Sequence, residues 1–145
     1  GLEMTYGYAL ALQKSVRTVL LADTDLAALI STRLYDEPPE NVVFPYARFG
    51  NITPGTDDTD GTQNAVVSFV IETYSRSTGR VQASQIAEAV RARLHRNEAP
   101  VTAELASDGF RAIEVICNNY FVDRDDAVGR GYTGRVLFTA IMETA

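Results

Sequence analysis

One cysteine and one histidine are all the thiols and imidazoles that 145 residues offer. Cys117 alone cannot close an internal disulfide, and a lone thiol suits a reducing cytoplasm. One His and one Cys leave no ligand set for zinc and no convergent cluster for a catalytic pocket. Cys117 falls between Val115 and Asn119 on an apolar strand face, where a thiol packs as an inert small hydrophobe. His95 falls in the last turn of a helix, where a cation suits the dipole. Nothing in the spacing supports a Cys–His nucleophile pair. Positive charge is scarce too, with 13 Lys and Arg against 19 Asp and Glu, net −6. A pI near 4.7 excludes the basic footprint of a free nucleic-acid binder. No apolar run reaches the roughly 18 residues of a membrane span. No basic–apolar–cleavage pattern opens the chain, so no secretory signal is expected. Neither GxxxxGK[ST] nor GxGxxG occurs, so Gly129-Arg130-Gly131 and Thr133-Gly134 are not phosphate loops.

What remains is an ordinary globular composition, 46% hydrophobic and 22% charged. It predicts one domain over 4–145, with Gly1, Leu2 and Glu3 read as a cloning remnant ahead of Met4. Leu12, Val16, Val19 and Leu20 recur at helical steps and predict a helix over Tyr8–Leu21. Asp23 or Thr24 caps a second short helix with Leu26, Leu29 and Ile30 on its apolar side. Pro38-Pro39 breaks any helix and makes 37–41 a linker. A strand is expected over 44–52, then a long hairpin loop over 53–64, rich in Pro, Gly and Asp. Residues 65–74 form the clearest strand. Val67, Phe69 and Ile71 lie on one face, and Val66, Val70 and Tyr74 on the other. Two apolar faces point to a central strand or to one covered by a partner. Residues 78–95 form the best helix, striped by Ala83, Ile86, Ala87, Val90 and Leu94, and Asn97 and Pro100 end it. Strands over 110–122 and 135–142 follow, joined by an acidic turn over 123–131. The expected fold is α+β: N-terminal helices, an antiparallel sheet of about four strands, and one amphipathic helix packed on it.

Asp57, Asp58, Asp60 and Gly61 invite a calcium reading, but a twelve-residue loop counted from any of these aspartates does not end on the Glu that it needs. A solvated turn is the better reading. Asp123, Asp125 and Asp126 read the same way. Arg76, Arg80, Arg91, Arg93 and Arg96 gather around one helix, as a solvated face or as a contact for an acidic partner surface. The candidate assembly contacts are Asp57, Asp58, Asp60, Arg91, Arg93, Asp125 and Asp126. No catalytic residue, metal ligand or cofactor is expected.

The order of segments carries more than any motif. A Leu-rich first helix leads to an acidic Ala/Leu helix start, Arg33-Leu34-Tyr35-Asp36 and Pro45-Tyr46. A β-rich run with an aromatic end, Gly79, an Ala-rich helix and two late strands complete it. Over nearly its whole length this resembles the tail terminator (tail-completion, tail-to-head joining) proteins of long-tailed bacteriophages and phage-like gene transfer particles. The resemblance implies a structural virion protein without catalytic residues, assembled in the host cytoplasm. It implies a homo-hexameric ring at the head-proximal end of the tail. That ring would stop growth of the tail tube protein, meet the head–tail connector protein, and let DNA through its lumen without specific binding. A connector or tube subunit of the same kind of particle has similar size and α+β content, and stays open. A small cytoplasmic enzyme is the remaining alternative, poorly served by one His and one Cys.

Overall fold

The computed structural model describes residues 7–56, 64–125 and 131–145. Helix α1 spans Tyr8–Leu21 and buries Leu12, Val16, Val19 and Leu20, the predicted stripe. Its buried Ser15 hydroxyl donates to the Val101 carbonyl at 2.8 Å, so the polar group enters the core with a partner. Helix α2, Thr24–Ile30, starts where the Asp23 carboxylate accepts from the Leu26 N–H at 3.0 Å. Strand β1 is only Leu34–Tyr35; β2 runs Tyr46–Thr56 and β3 Asn64–Ser75. Helix α3 is Val81–Leu94 and α4 is Glu98–Leu105. A 3-10 turn at Ala106–Asp108 leads into β4, Phe110–Asp125, and β5 is Gly131–Thr144.

The sheet order is β1-β2-β3-β5-β4. All pairs are antiparallel except β1 on β2, where Leu34 meets Ala47 and Tyr35 meets Arg48. The α+β class holds, and a two-residue fifth strand adds one parallel pair. β3 is the central strand, and its buried residues include Val67, Phe69 and Ile71. The helices cover this one face. Val66, Val70 and Tyr74 point to the other, which no described element covers. α3 buries Ala83, Ile86, Ala87, Val90 and Leu94 against β3, β4 and β5.

Two expectations change. α3 ends at Leu94, ahead of Asn97 as expected, but a further helix, α4, starts at Glu98 and contains Pro100. Pro100 occupies its first turn, where the missing N–H has no intrahelical partner to lose. The loops are also shorter than their composition indicates. β2 continues through Thr53, Pro54 and Gly55, paired with Ser68, Val67 and Val66. Beyond Arg48 it is an edge strand, where a proline is tolerated. Likewise Asp123, Arg124 and Asp125 are strand, paired with Thr133, Tyr132 and Gly131. Pairing with β3 carries β2 into the first expected loop, and pairing with both β3 and β4 starts β5 at Gly131, earlier than expected.

The outer edge of β4 is covered over Ala112–Cys117 by α4 and the link that leads into it. Thr102 Oγ1 accepts from the Ala112 N–H and donates to its carbonyl. Glu98 accepts from the Val115 N–H at 3.0 Å, and His95 Nδ1 from the Cys117 N–H at 2.9 Å. Arg96 takes a left-handed φ of 53° and turns its own N–H onto the Val115 carbonyl at 2.8 Å. An edge strand of this length would otherwise present a row of open donors and acceptors.

Candidate functional site

The uncovered sheet face is the main surface on which contacts can be made. Its apolar residues are Val66 and Val70 on β3, Leu137 and Ile141 on β5, and Ile116 and Phe121 on β4. Phe121 is 39% exposed, high for a large aromatic. Glu72 holds the middle of the face. Its carboxylate lies 3.5 Å from Arg48 Nε and 3.5 Å from Arg135 Nε, and it accepts from the Tyr74 hydroxyl at 2.7 Å. The Arg48 contact is an ion pair without hydrogen-bond aim, since that buried Nε has no hydrogen-bond partner. Arg111 pairs with Glu143 at the far end.

An aromatic corner closes the β1 side. Tyr46 stacks on Tyr74 at 4.8 Å, and Phe44 meets Tyr46 edge-on at 5.0 Å. Tyr35 lies 6.0 Å from Tyr46, and Arg33 Nε donates to the Pro45 carbonyl at 2.8 Å. Arg33-Leu34-Tyr35 and Pro45-Tyr46 thus lock one corner together. Burial raises the Tyr46 phenol above its ordinary value. Burial raises Tyr74 further, with the hydrogen bond to Glu72 adding to it. Both phenols stay neutral near pH 7, and Tyr74 is the one that donates to Glu72.

The sequence-derived contact candidates disperse. Arg91 stands on α3 beside Cys117, whose thiol is raised by burial and partly lowered by that guanidinium. Arg93 Nε donates to the Val19 carbonyl at 3.1 Å and ties α3 to α1, a structural duty its place off the stripe did not reveal. Asp125 accepts from the Thr133 hydroxyl at 2.6 Å near the end of the β4–β5 pair. Asp57, Asp58, Asp60 and Asp126 lie outside the described residues. Among the described residues no three His, Cys, Asp or Glu side chains gather as metal ligands. The Arg48–Glu72–Arg135 group escaped sequence reading because its members come from three strands. The one signal was Glu72, a charge inside an otherwise apolar alternation.

Known proteins resemble this chain over nearly its whole length. The family model for "Tail completion protein gp17" matches residues 14–143. A chain from the virion of a native gene transfer agent (GTA) particle superposes with a TM-score of 0.76 at 26% identity, over 96% of this chain and 99% of that one. The bacteriophage SPP1 gp17 protein aligns with a TM-score of 0.49 at 16% identity, over 91% and 88% of the two chains. No curated protein matches significantly.

Proposed function

The chain belongs to the family of tail completion protein gp17, and from that premise we propose that it closes the head-proximal end of a tail tube as a hexameric ring. The family is one of structural virion proteins, and this chain is a structural tail-completion component, not an enzyme. In the proposed role the ring stops polymerisation of the tail tube protein and presents its other side to the head–tail connector protein. DNA crosses the lumen without specific binding, and a net charge of −6 favours passage over retention. Assembly takes place in the host cytoplasm, and the product resides in the virion.

The observation that carries this reading is the end-to-end likeness to a virion chain, covering 96% of one and 99% of the other. The uncovered sheet face, with Phe121 exposed on it, supplies surface for neighbours. Arg91, Arg93 and Asp125, with Asp57, Asp58, Asp60 and Asp126, are the proposed assembly contacts. The test is deletion of the gene in a particle-producing strain, followed by electron microscopy. Overlong tail tubes and heads accumulating apart from tails are expected. Normal tails joined to heads would overturn the role. Image averages of the purified chain, or of tail ends, should show sixfold rings. Long tubes built from this chain alone would make it a tube subunit instead.

A further inference from the structure

The cover over the β4 edge includes the one imidazole of the chain. Thr102 holds the Ala112 N–H and carbonyl, Glu98 the Val115 N–H, and the Arg96 N–H the Val115 carbonyl. The remaining contact, from the Cys117 N–H to His95 Nδ1 at 2.9 Å, uses the only histidine in the sequence. Imidazole is the one side chain that ordinarily changes charge between about pH 5 and pH 8. It accepts at Nδ1 only while the ring is neutral, because an imidazolium carries a hydrogen on both nitrogens.

His95 also stands at a hinge. It caps the C-terminus of α3 with φ −67° and ψ 120°, and its own N–H still closes the last turn on the Arg91 carbonyl. Arg96 then turns left-handed, and Asn97 ties back to α3 through its N–H to the Leu94 carbonyl and its Nδ2 to the Arg93 carbonyl. None of His95, Arg96 and Asn97 is buried. Lifting this link off the strand therefore exposes little apolar surface and can happen without melting the domain. The groups around the ring are Arg91 on α3, Arg96 in the link, Glu98 on α4 and the Cys117 thiol on β4. Desolvation, helped by the two guanidiniums, holds the imidazole below its ordinary value against the pull of Glu98. The thiol is pushed up by burial and stays protonated. A proton on His95 thus costs the Cys117 bond and adds a third cation beside Arg91 and Arg96.

We infer that the cover is a proton-operated latch: protonation of His95 releases the Cys117 N–H and lifts the α3–α4 link, baring the β4 edge around Cys117 while the rest of the domain stays folded. Access to this edge, and to the backbone groups it offers another strand, becomes a function of pH. The inference concerns the isolated subunit and is independent of the virion role.

Amide hydrogen exchange of the full chain, read by NMR from about pH 7 to about pH 5, tests it, with the imidazole titrated in the same samples. Protection of the Cys117 amide should fall several-fold as pH drops below 6.5, then level off once the ring of the folded chain is charged. This opening should respond weakly to denaturant, because it exposes little surface. The Ile71 amide of β3 should exchange only through a larger, denaturant-sensitive opening. In His95→Asn, whose side chain accepts without titrating, Cys117 protection should lose this pH dependence. Should that variant melt, the plateau in the parent still decides. Four results would each overturn the proposal: flat Cys117 protection in the parent, a fall that continues past the ring's own titration, an equal fall in His95→Asn, or a Cys117 amide that opens only together with Ile71.

Discussion

At the scale of single residues, the tightest constraint is the crossing of β3 and β5 beneath α3. Gly134 pairs with Thr73, and a Cβ at 134 would overlap Thr73 Oγ1, with Ala87 of α3 just beyond. That hydroxyl is buried without a hydrogen-bond partner. Gly134→Ala should therefore cost about 1–3 kcal/mol through overpacking. Thr73→Ala removes both the obstacle and the unsatisfied oxygen, so the alanine at 134 should cost much less in that background. Denaturant melts of the four proteins in this cycle decide it, and equal costs in both backgrounds would refute the steric account. His95 supplies a different kind of check. Its Nδ1 accepts from the Cys117 N–H, which requires a neutral ring. Desolvation, then Arg91 and Arg96, lowers its pKa from 6.5, against an opposing pull from Glu98. The folded state thus binds the proton less readily than the unfolded chain. The stabilisation is complete above pH 6.5 and is lost as pH falls below it. His95→Asn can accept the same bond without titrating. It should flatten that part of the stability profile, and an unchanged profile would count against the linkage.

At the scale of elements, α3 is where sequence and structure agree most closely. Its five-residue stripe is buried on the sheet. Val90→Asp would place an unpaired charge in that layer at a cost of several kcal/mol, enough to unfold a domain of about 5–15 kcal/mol stability. A folded Val90→Asp protein by circular dichroism would contradict the observed register. Arg91→Glu should leave the melt unchanged. Arg93→Glu should cost about 1 kcal/mol, because the bond to the Val19 carbonyl is lost. Periodicity made α1, α3 and β3 readable, since each buries a regular face of its own. α4 offers only Val101 and Leu105 as buried positions, and a proline in its first turn hides the rest. β1 is two residues long and exists through pairing with β2, so no local pattern announces it. The same reason hid the contact surfaces. Glu72 meets Arg48 and Arg135 across separations that only the folded sheet brings together.

At the scale of the whole molecule, the sheet is closed unequally. One face is roofed by helices and one is bare, while β2 is an edge past Arg48 and the edge of β4 is sealed over Ala112–Cys117. The seal at β4 consists of a few polar groups from one short helix and its linker: Thr102, Glu98, His95 and the Arg96 N–H. A Glu98→Ala, Thr102→Val variant leaves the Ala112 and Val115 amides without these partners. It should stay folded at room temperature yet turn turbid at a lower temperature than the parent, more so at higher concentration. Light scattering during a heating ramp measures this, and an unchanged onset would show that the seal is dispensable. If the variant behaves as expected, the weak point under heat is not the hydrophobic core. Detachment of α4 would come first, and a newly bared strand would recruit others into stacked fibrillar sheet before the rest of the domain melts. The shelf life of the protein would then be governed by the opening rate of eight helical residues, Glu98–Leu105.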